Sequence, residues 1–264
     1  MTGYRVRACN TAHGSENKIH DDSVARRFGF SGGLVPGVDV YAYMMHLPVA
    51  RWGRAFLEQG AAECRFTRPV YDGETAEVSG SETAGSIAIE VRCRDASCAT
   101  GSAHLPAQPA APPAIEDFPA KTVPKAEERP VASPATLAVG AVLCSLPLQA
   151  SEAFAAQYLR DVRETDELYS REGLVHPGAV LRTCNHALLQ SVRLGPWIHV
   201  GSRVQNFGVA RVGETLAARA RVTENYERKG HLYVEFDALV VAAGARPLAR
   251  VQHTAIYRPR QMAE

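Results

Sequence analysis

The chain repeats itself, and the repeat restricts its fold more than any other feature. Gly33-Leu34-Val35 recurs as Gly173-Leu174-Val175, and Gly73-Glu74-Thr75 recurs as Gly213-Glu214-Thr215, each at a spacing of 140 residues. Two triplets in the same order at one spacing point to a duplicated unit of somewhat over about a hundred residues.

Each unit reads as one helix followed by strands. After Pro36, residues Val38, Tyr41, Met45, Val49 and Trp52 fall at spacings of three and four, the pattern of a helix that buries one face. Val180, Cys184, Leu188 and Val192 repeat that pattern in the second unit. Gly37 and Gly178 stand just ahead of the two helices. The later segments 216–222, 231–241 and 247–257 are β-rich, and Tyr233, Glu235 and Asp237 alternate with Val234, Phe236 and Ala238 as strand residues do. Turns are expected at Arg228-Lys229-Gly230 and Ala243-Gly244-Ala245. This order predicts an α+β fold in which an antiparallel sheet wraps a central helix, built twice. Residues 106–134 hold eight of the chain's 16 prolines. They read as an extended linker between a first repeat over 1–105 and a second over 135–264.

Composition narrows the function classes. Of the 264 residues, 46% are hydrophobic and 22% charged, enough apolar material for two cores. The net charge of +1 gives no electrostatic reason to expect a nucleic-acid or membrane partner. The six cysteines are scattered without metal-site spacing, so reduced, buried thiols and no metal are expected. The start of the chain has no apolar signal core, and the greasiest stretch, 137–148, is too short to cross a bilayer, so a cytoplasmic home is expected.

Chemistry concentrates in Ser15-Glu16-Asn17-Lys18-Ile19-His20-Asp21-Asp22, shortly before the first helix. A histidine moves protons near neutral pH. A helix start offers unpaired N–H groups to a carbonyl that gains negative charge. Asn17, Ile19, His20, Asp22, Gly29-Phe30 and Gly33-Leu34-Val35-Pro36-Gly37 resemble the signature of the MaoC-like family, the (R)-specific enoyl-CoA hydratases and acyl dehydratases. Arg65-Phe66-Thr67-Arg68-Pro69-Val70-Tyr71-Asp72-Gly73-Glu74-Thr75 resembles the same family's strand and turn. The resemblance implies a double hot-dog fold, two central helices wrapped by one large antiparallel sheet.

It also implies a hydro-lyase acting on a CoA-type or carrier-bound acyl thioester, with no cofactor; one tandem chain already completes the two-fold unit, and further pairing into a homodimer is a separate expectation. His20 takes the role of acid/base, and Asn17 that of holding the turn or a water. The family's Asp position is occupied by Ser15, and Glu16 beside it is the candidate substitute carboxylate. The N–H groups of Gly37 and Val38 take the oxyanion role, and Arg65, Arg68, Arg203 and Arg211 are candidates for the thioester's phosphates. Asp22 is expected to cap the short helix through Arg27. At the repeat spacing His20 becomes Arg160, so the second copy lacks this chemistry. An inserted histidine, His176, stands before its helix, either facing a ligand tunnel or, in the preferred reading, as a capped loop residue. Two alternatives stay open: a hot-dog thioesterase using Asp39, and a non-catalytic acyl-binding or partner subunit.

Overall fold

The computed structural model describes residues 3–242 and 245–262. Ala243 and Gly244 of the expected turn lie outside the described residues. The first repeat runs β1 (Tyr4–Arg7), α1 (Asp22–Arg27), α2 (Gly37–Trp52), α3 (Arg54–Gln59), β2 (Ala61–Phe66), β3 (Thr75–Thr83), β4 (Ser86–Cys93) and β5 (Ala96–His104). The second runs β6 (Val142–Cys144), β7 (Leu148–Gln149), α4 (Glu152–Asp161), α5 (Leu168–Glu172), α6 (Pro177–Ser191), β8 (Ile198–Asn206), β9 (Thr215–Arg228), β10 (His231–Ala242) and β11 (Arg246–Arg258).

Among the described residues the strands form one 11-stranded sheet in the order β1-β3-β4-β5-β2-β8-β11-β10-β9-β6, with β7 also on β9. Every named strand pair is antiparallel. The order reads the same from both ends, so the two repeats meet back to back at β2 and β8. Glu63 stands opposite Arg203 in that pairing, and these two are equivalent positions of the repeats. A pseudo-two-fold axis therefore passes between them, and Arg203 Nε lies 3.7 Å from Glu63 Oε2.

The long helices α2 and α6 lie side by side under this sheet. Their apolar periodicity is the reason: Met44 and Met45 on α2, and Cys184, Ala187 and Leu188 on α6, are fully buried. The helices approach closely at Gly178. A Cβ there would lie 2.7 Å from the Ala42 Cβ and 3.1 Å from the Val38 carbonyl oxygen. On β10 Val234, Phe236 and Ala238 are buried while Tyr233, Glu235 and Asp237 are half-exposed, as the alternation predicts.

Two details differ from the sequence reading. Gly37 and Gly178 lie inside the helices, and His176 is no insertion. The helices begin at the equivalent positions Gly37 and Pro177, capped by Pro36 and His176. The histidine stands where the first copy has proline, and the spacing of 140 runs through it unbroken. Its Nδ1 accepts from the Gly178 N–H at 3.1 Å, a side-chain cap that proline cannot make.

Between β5 and β6 the chain makes two single 3-10 turns, Ile115–Asp117 and Ala126–Glu128. Phe118 anchors this segment by packing with Leu239 and Val241. No helix among the described residues is long and apolar enough to cross a membrane.

Candidate active site

The polar turn is a set of nested caps. Asn17 caps a single 3-10 turn, Lys18–His20, with its Oδ1 accepting from the Ile19 N–H at 3.3 Å. Asp21, not Asp22, caps α1, accepting from the N–H groups of Ser23 (2.9 Å) and Val24 (3.1 Å). Asp22 is already helical, and its carboxylate instead accepts from the Gly33 N–H at 2.7 Å. That bond draws the glycine loop onto the turn. A side chain at Gly33 would collide with the His20 carbonyl, and Asn10 Nδ2 donates to that same carbonyl at 2.9 Å. The Leu34 N–H donates to the Ile19 carbonyl (3.3 Å) and the Val35 N–H to Val70 (2.8 Å). These contacts set His20 beside the start of α2.

The tautomer of His20 follows from its partners. Nδ1 lies 2.7 Å from the Leu34 carbonyl oxygen, which only accepts, so Nδ1 carries the hydrogen. The Asn17 amide is fixed by backbone: its Oδ1 accepts from the Trp197 N–H (3.1 Å) and its Nδ2 donates to the Trp197 carbonyl (3.0 Å). Nδ2 is thereby also 3.3 Å from His20 Nε2, which is left as the lone-pair nitrogen. Burial lowers the His20 pKa, against the opposing effect of the Leu34 hydrogen bond. The residue is a neutral imidazole with its basic nitrogen presented by an amide that spans the two repeats.

A cavity of about 520 Å³ opens here. Its walls include Asn17, His20, Gly37, Arg65, Phe66 and Arg68 from the first repeat, and Asn185, Trp197, His199 and Tyr233 from the second. The first intrahelical bonds of α2 run from Asp39 and Val40 to the Pro36 carbonyl at 2.9 and 3.1 Å. The N–H groups of Gly37 and Val38 precede them, at the positive end of the helix dipole. Gly37 is held to glycine by crowding: a Cβ would lie 2.9 Å from His199 Nδ1 and 3.0 Å from Phe66 Cε2.

Other sequence candidates lie elsewhere. The exposed Glu16 carboxylate pairs with Arg129 at 2.8 Å, not with His20, and Ser15 Oγ donates to the Asn17 carbonyl at 3.1 Å. Neither lines the cavity. Arg203 sits on the outer seam with Glu63, and Arg211 is in the far turn, where its N–H donates to Glu214. Asp39 is fully buried among Thr11 Oγ1 (2.6 Å), Tyr158 Oη (3.0 Å) and Arg182 (2.5 Å) and is not among the residues lining the cavity. The equivalent end of the second repeat is nearly closed, with a cavity of only about 20 Å³ left among Val175, Pro177, Val180, Val209 and Ala210. Arg160 is exposed on α4, and the rings of Tyr158 and Tyr169 close on His176.

Sequence reasoning missed the whole wall from the second repeat. Trp197, His199 and Asn185 come from β8, its approach and α6, so only the palindromic strand order brings them to His20. An isolated histidine in an apolar strand was the available signal.

No protein-family model matches the chain, and no curated protein matches its sequence. Solved structures do. A Mycobacterium tuberculosis protein described as having a double hotdog fold is 17% identical, with a TM-score of 0.63 over 97% of this chain and 96% of that one. The fold is a double hot-dog. A protein described as a MaoC domain dehydratase, from Chloroflexus aurantiacus, is 12% identical, with a TM-score of 0.62 over 98% and 96% of the two chains. One described as a thioesterase, from Novosphingobium aromaticivorans, is 10% identical, with a TM-score of 0.56 over 97% and 96%. Dehydratases and thioesterases share this hot-dog architecture, and at such identities the likeness is one of fold.

Proposed function

We propose that the protein is a hydro-lyase of the MaoC type, acting on an acyl thioester borne by CoA or a carrier protein. One observation carries the reading: a neutral imidazole, His20, with its basic nitrogen fixed, in one cavity with the N-terminus of α2. In the hydration direction His20 takes a proton from water, the hydroxyl adds to Cβ, and the same proton returns to Cα. The site ends as it began, and no cofactor is needed. Negative charge on the thioester oxygen during this step is met by the Gly37 and Val38 N–H groups. Arg65 and Arg68 supply positive charge for the thioester's phosphates.

The thioesterase reading loses its carboxylate, because Asp39 is consumed by Arg182, Tyr158 and Thr11. The second reading is an acyl-binding subunit without turnover. It is favoured by the absence of any Asp or Glu among the residues lining the cavity. Incubation with enoyl- and 3-hydroxyacyl-CoA thioesters of several chain lengths, followed by mass spectrometry, separates the two. Gain or loss of one water is expected for at least one thioester. Binding without mass change for every member of the panel overturns the hydro-lyase and leaves the binding subunit.

A further inference from the structure

Three cavity-lining residues carry a buried polar atom with no hydrogen-bond partner among the described residues: Asn185 Oδ1, Trp197 Nε1 and His199 Nδ1. A buried polar group is normally satisfied, so such a cluster marks a place where something else supplies the partner. His199 is the most constrained of the three. It is only 7% exposed and packs edge-on to Phe66 with ring centroids 4.9 Å apart. Its Nδ1 sits against Gly37, the first residue of α2.

The other side of the ring is held by a relay. His199 Nε2 lies 2.9 Å from Ser202 Oγ, and Ser202 Oγ lies 3.0 Å from His253 Nδ1. The two imidazoles stack with centroids 4.0 Å apart, and His253 stacks in turn on Phe236. Burial keeps both rings neutral, holding the His199 pKa down to about 3 and that of His253 well below the ordinary range. Ser202 has one hydrogen to give, so one ring donates to it and the other accepts. A hydrogen on His199 Nδ1 would have no acceptor beside it, whereas one on Nε2 has Ser202 Oγ at 2.9 Å. The positive end of α2 likewise favours a lone pair on the nitrogen that faces it. His199 then donates through Nε2 to Ser202, and Ser202 donates to His253.

We propose that His199 Nδ1 is the hydrogen-bond acceptor that recognises the hydroxyl of a 3-hydroxyacyl thioester, or the water that becomes it, with Ser202 and His253 as positioning residues. This rests on the acyl-thioester reading above. The start of α2 presents donors, the Gly37 and Val38 N–H groups, next to one acceptor. A 3-hydroxy thioester offers the complement, a carbonyl that accepts and a hydroxyl that donates. His199 occupies the role of the carboxylate missing at Ser15, as a neutral group that orients without ionising.

Two measurements on the full chain test this. In ¹⁵N-histidine NMR of the unliganded protein, His199 Nδ1 should resonate as an unprotonated nitrogen, and Ser202→Ala should shift it towards a mixed tautomer. A protonated Nδ1 in the intact protein overturns the assignment without need of any variant. In calorimetric titration, each enantiomer of 3-hydroxybutyryl-CoA is compared with butyryl-CoA. The wild type should prefer one hydroxylated enantiomer by about fivefold or more. His199→Phe should abolish that preference, so that within the variant both enantiomers bind like butyryl-CoA. Equal affinity of the wild type for all three ligands overturns the role of His199 and leaves the acyl-thioester reading standing. If no thioester binds, that parent reading falls and takes this one with it.

Discussion

At the scale of single residues, the proposed function depends on one histidine held neutral and aimed. His20→Ala should lower kcat by roughly 10²-fold or more, with little change in melting temperature, as steady-state kinetics and thermal melts would show. Glu16→Gln should leave activity unchanged, because that carboxylate belongs to Arg129 outside the cavity. Comparable losses in both variants would mean that the turn is rearranged in solution. The pH dependence has a definite sign. Burial lowers the His20 pKa, so its lone pair survives as pH falls through the ordinary histidine range. The acid limb of kcat/KM should therefore lie below about 6.5, and a limb above that value would contradict the buried, neutral imidazole. His20, Asn17 and the helix start were legible in the sequence because they are local: a turn, a cap and a glycine loop all within residues 17–37. Glu16 was misplaced by the same locality. Adjacency in sequence put it near His20, but neighbouring side chains leave the backbone in different directions.

At the scale of elements, the two central helices are clamped by a buried ion pair. Asp39 of α2 takes Arg182 of α6, Tyr158 of α4 and Thr11, and the Arg182 guanidinium also lies 5.1 Å from the Tyr158 ring centroid. Breaking one side of such a pair strands a charge. Arg182→Met should cost about 3 kcal/mol or more, read as a lower urea midpoint at unchanged slope. A loss under about 1 kcal/mol would show that Tyr158 and Thr11 alone satisfy the carboxylate. A second clamp joins His46 of α2 to Glu164, with His176 on the same carboxylate at 3.4 Å. The Glu164 hydrogen bond, 2.8 Å long, raises the His46 pKa. Its stabilisation is complete below the unfolded histidine value of about 6.5 and is lost as pH rises through the higher folded value. His186, His199 and His253 act in the opposite sense. Burial lowers all three, to about 4 for His186 and about 3 for His199, so they cost stability as pH falls below about 6.5. Thermal melts should therefore show a loss on both sides of that value, and His46→Gln should remove only the alkaline one. The helices themselves were readable from their three-four spacing. The clamps were not, because each joins residues more than a hundred positions apart.

At the scale of the whole molecule, duplication made a nearly two-fold body, and divergence left the His20 cavity at one end only. The repeat spacing, the helices and the alternation of β10 all stood in the sequence, and from them the α+β sheet wrapped on two helices. What stayed hidden was the join. The pairing of β2 with β8 brings Trp197 to Asn17 and His199 to Gly37, and no periodicity in either copy encodes a contact between copies. The equivalent end shows why the symmetry stops. There the turn has become α4, Arg160 faces outward, Tyr158 and Tyr169 pack on His176, and the cavity beside the α6 start shrinks to about 20 Å³. Under the proposed function this chain carries a single acyl-thioester site, at His20, on a fold that could have held two. Saturation calorimetry of the intact chain with a 3-hydroxyacyl-CoA measures it directly. One thioester bound per chain is predicted, weakened by Gly37→Leu, which crowds His199 and Phe66, and untouched by Arg160→Ala. Two equivalent sites per chain, or binding that survives Gly37→Leu and is lost in Arg160→Ala, would contradict it.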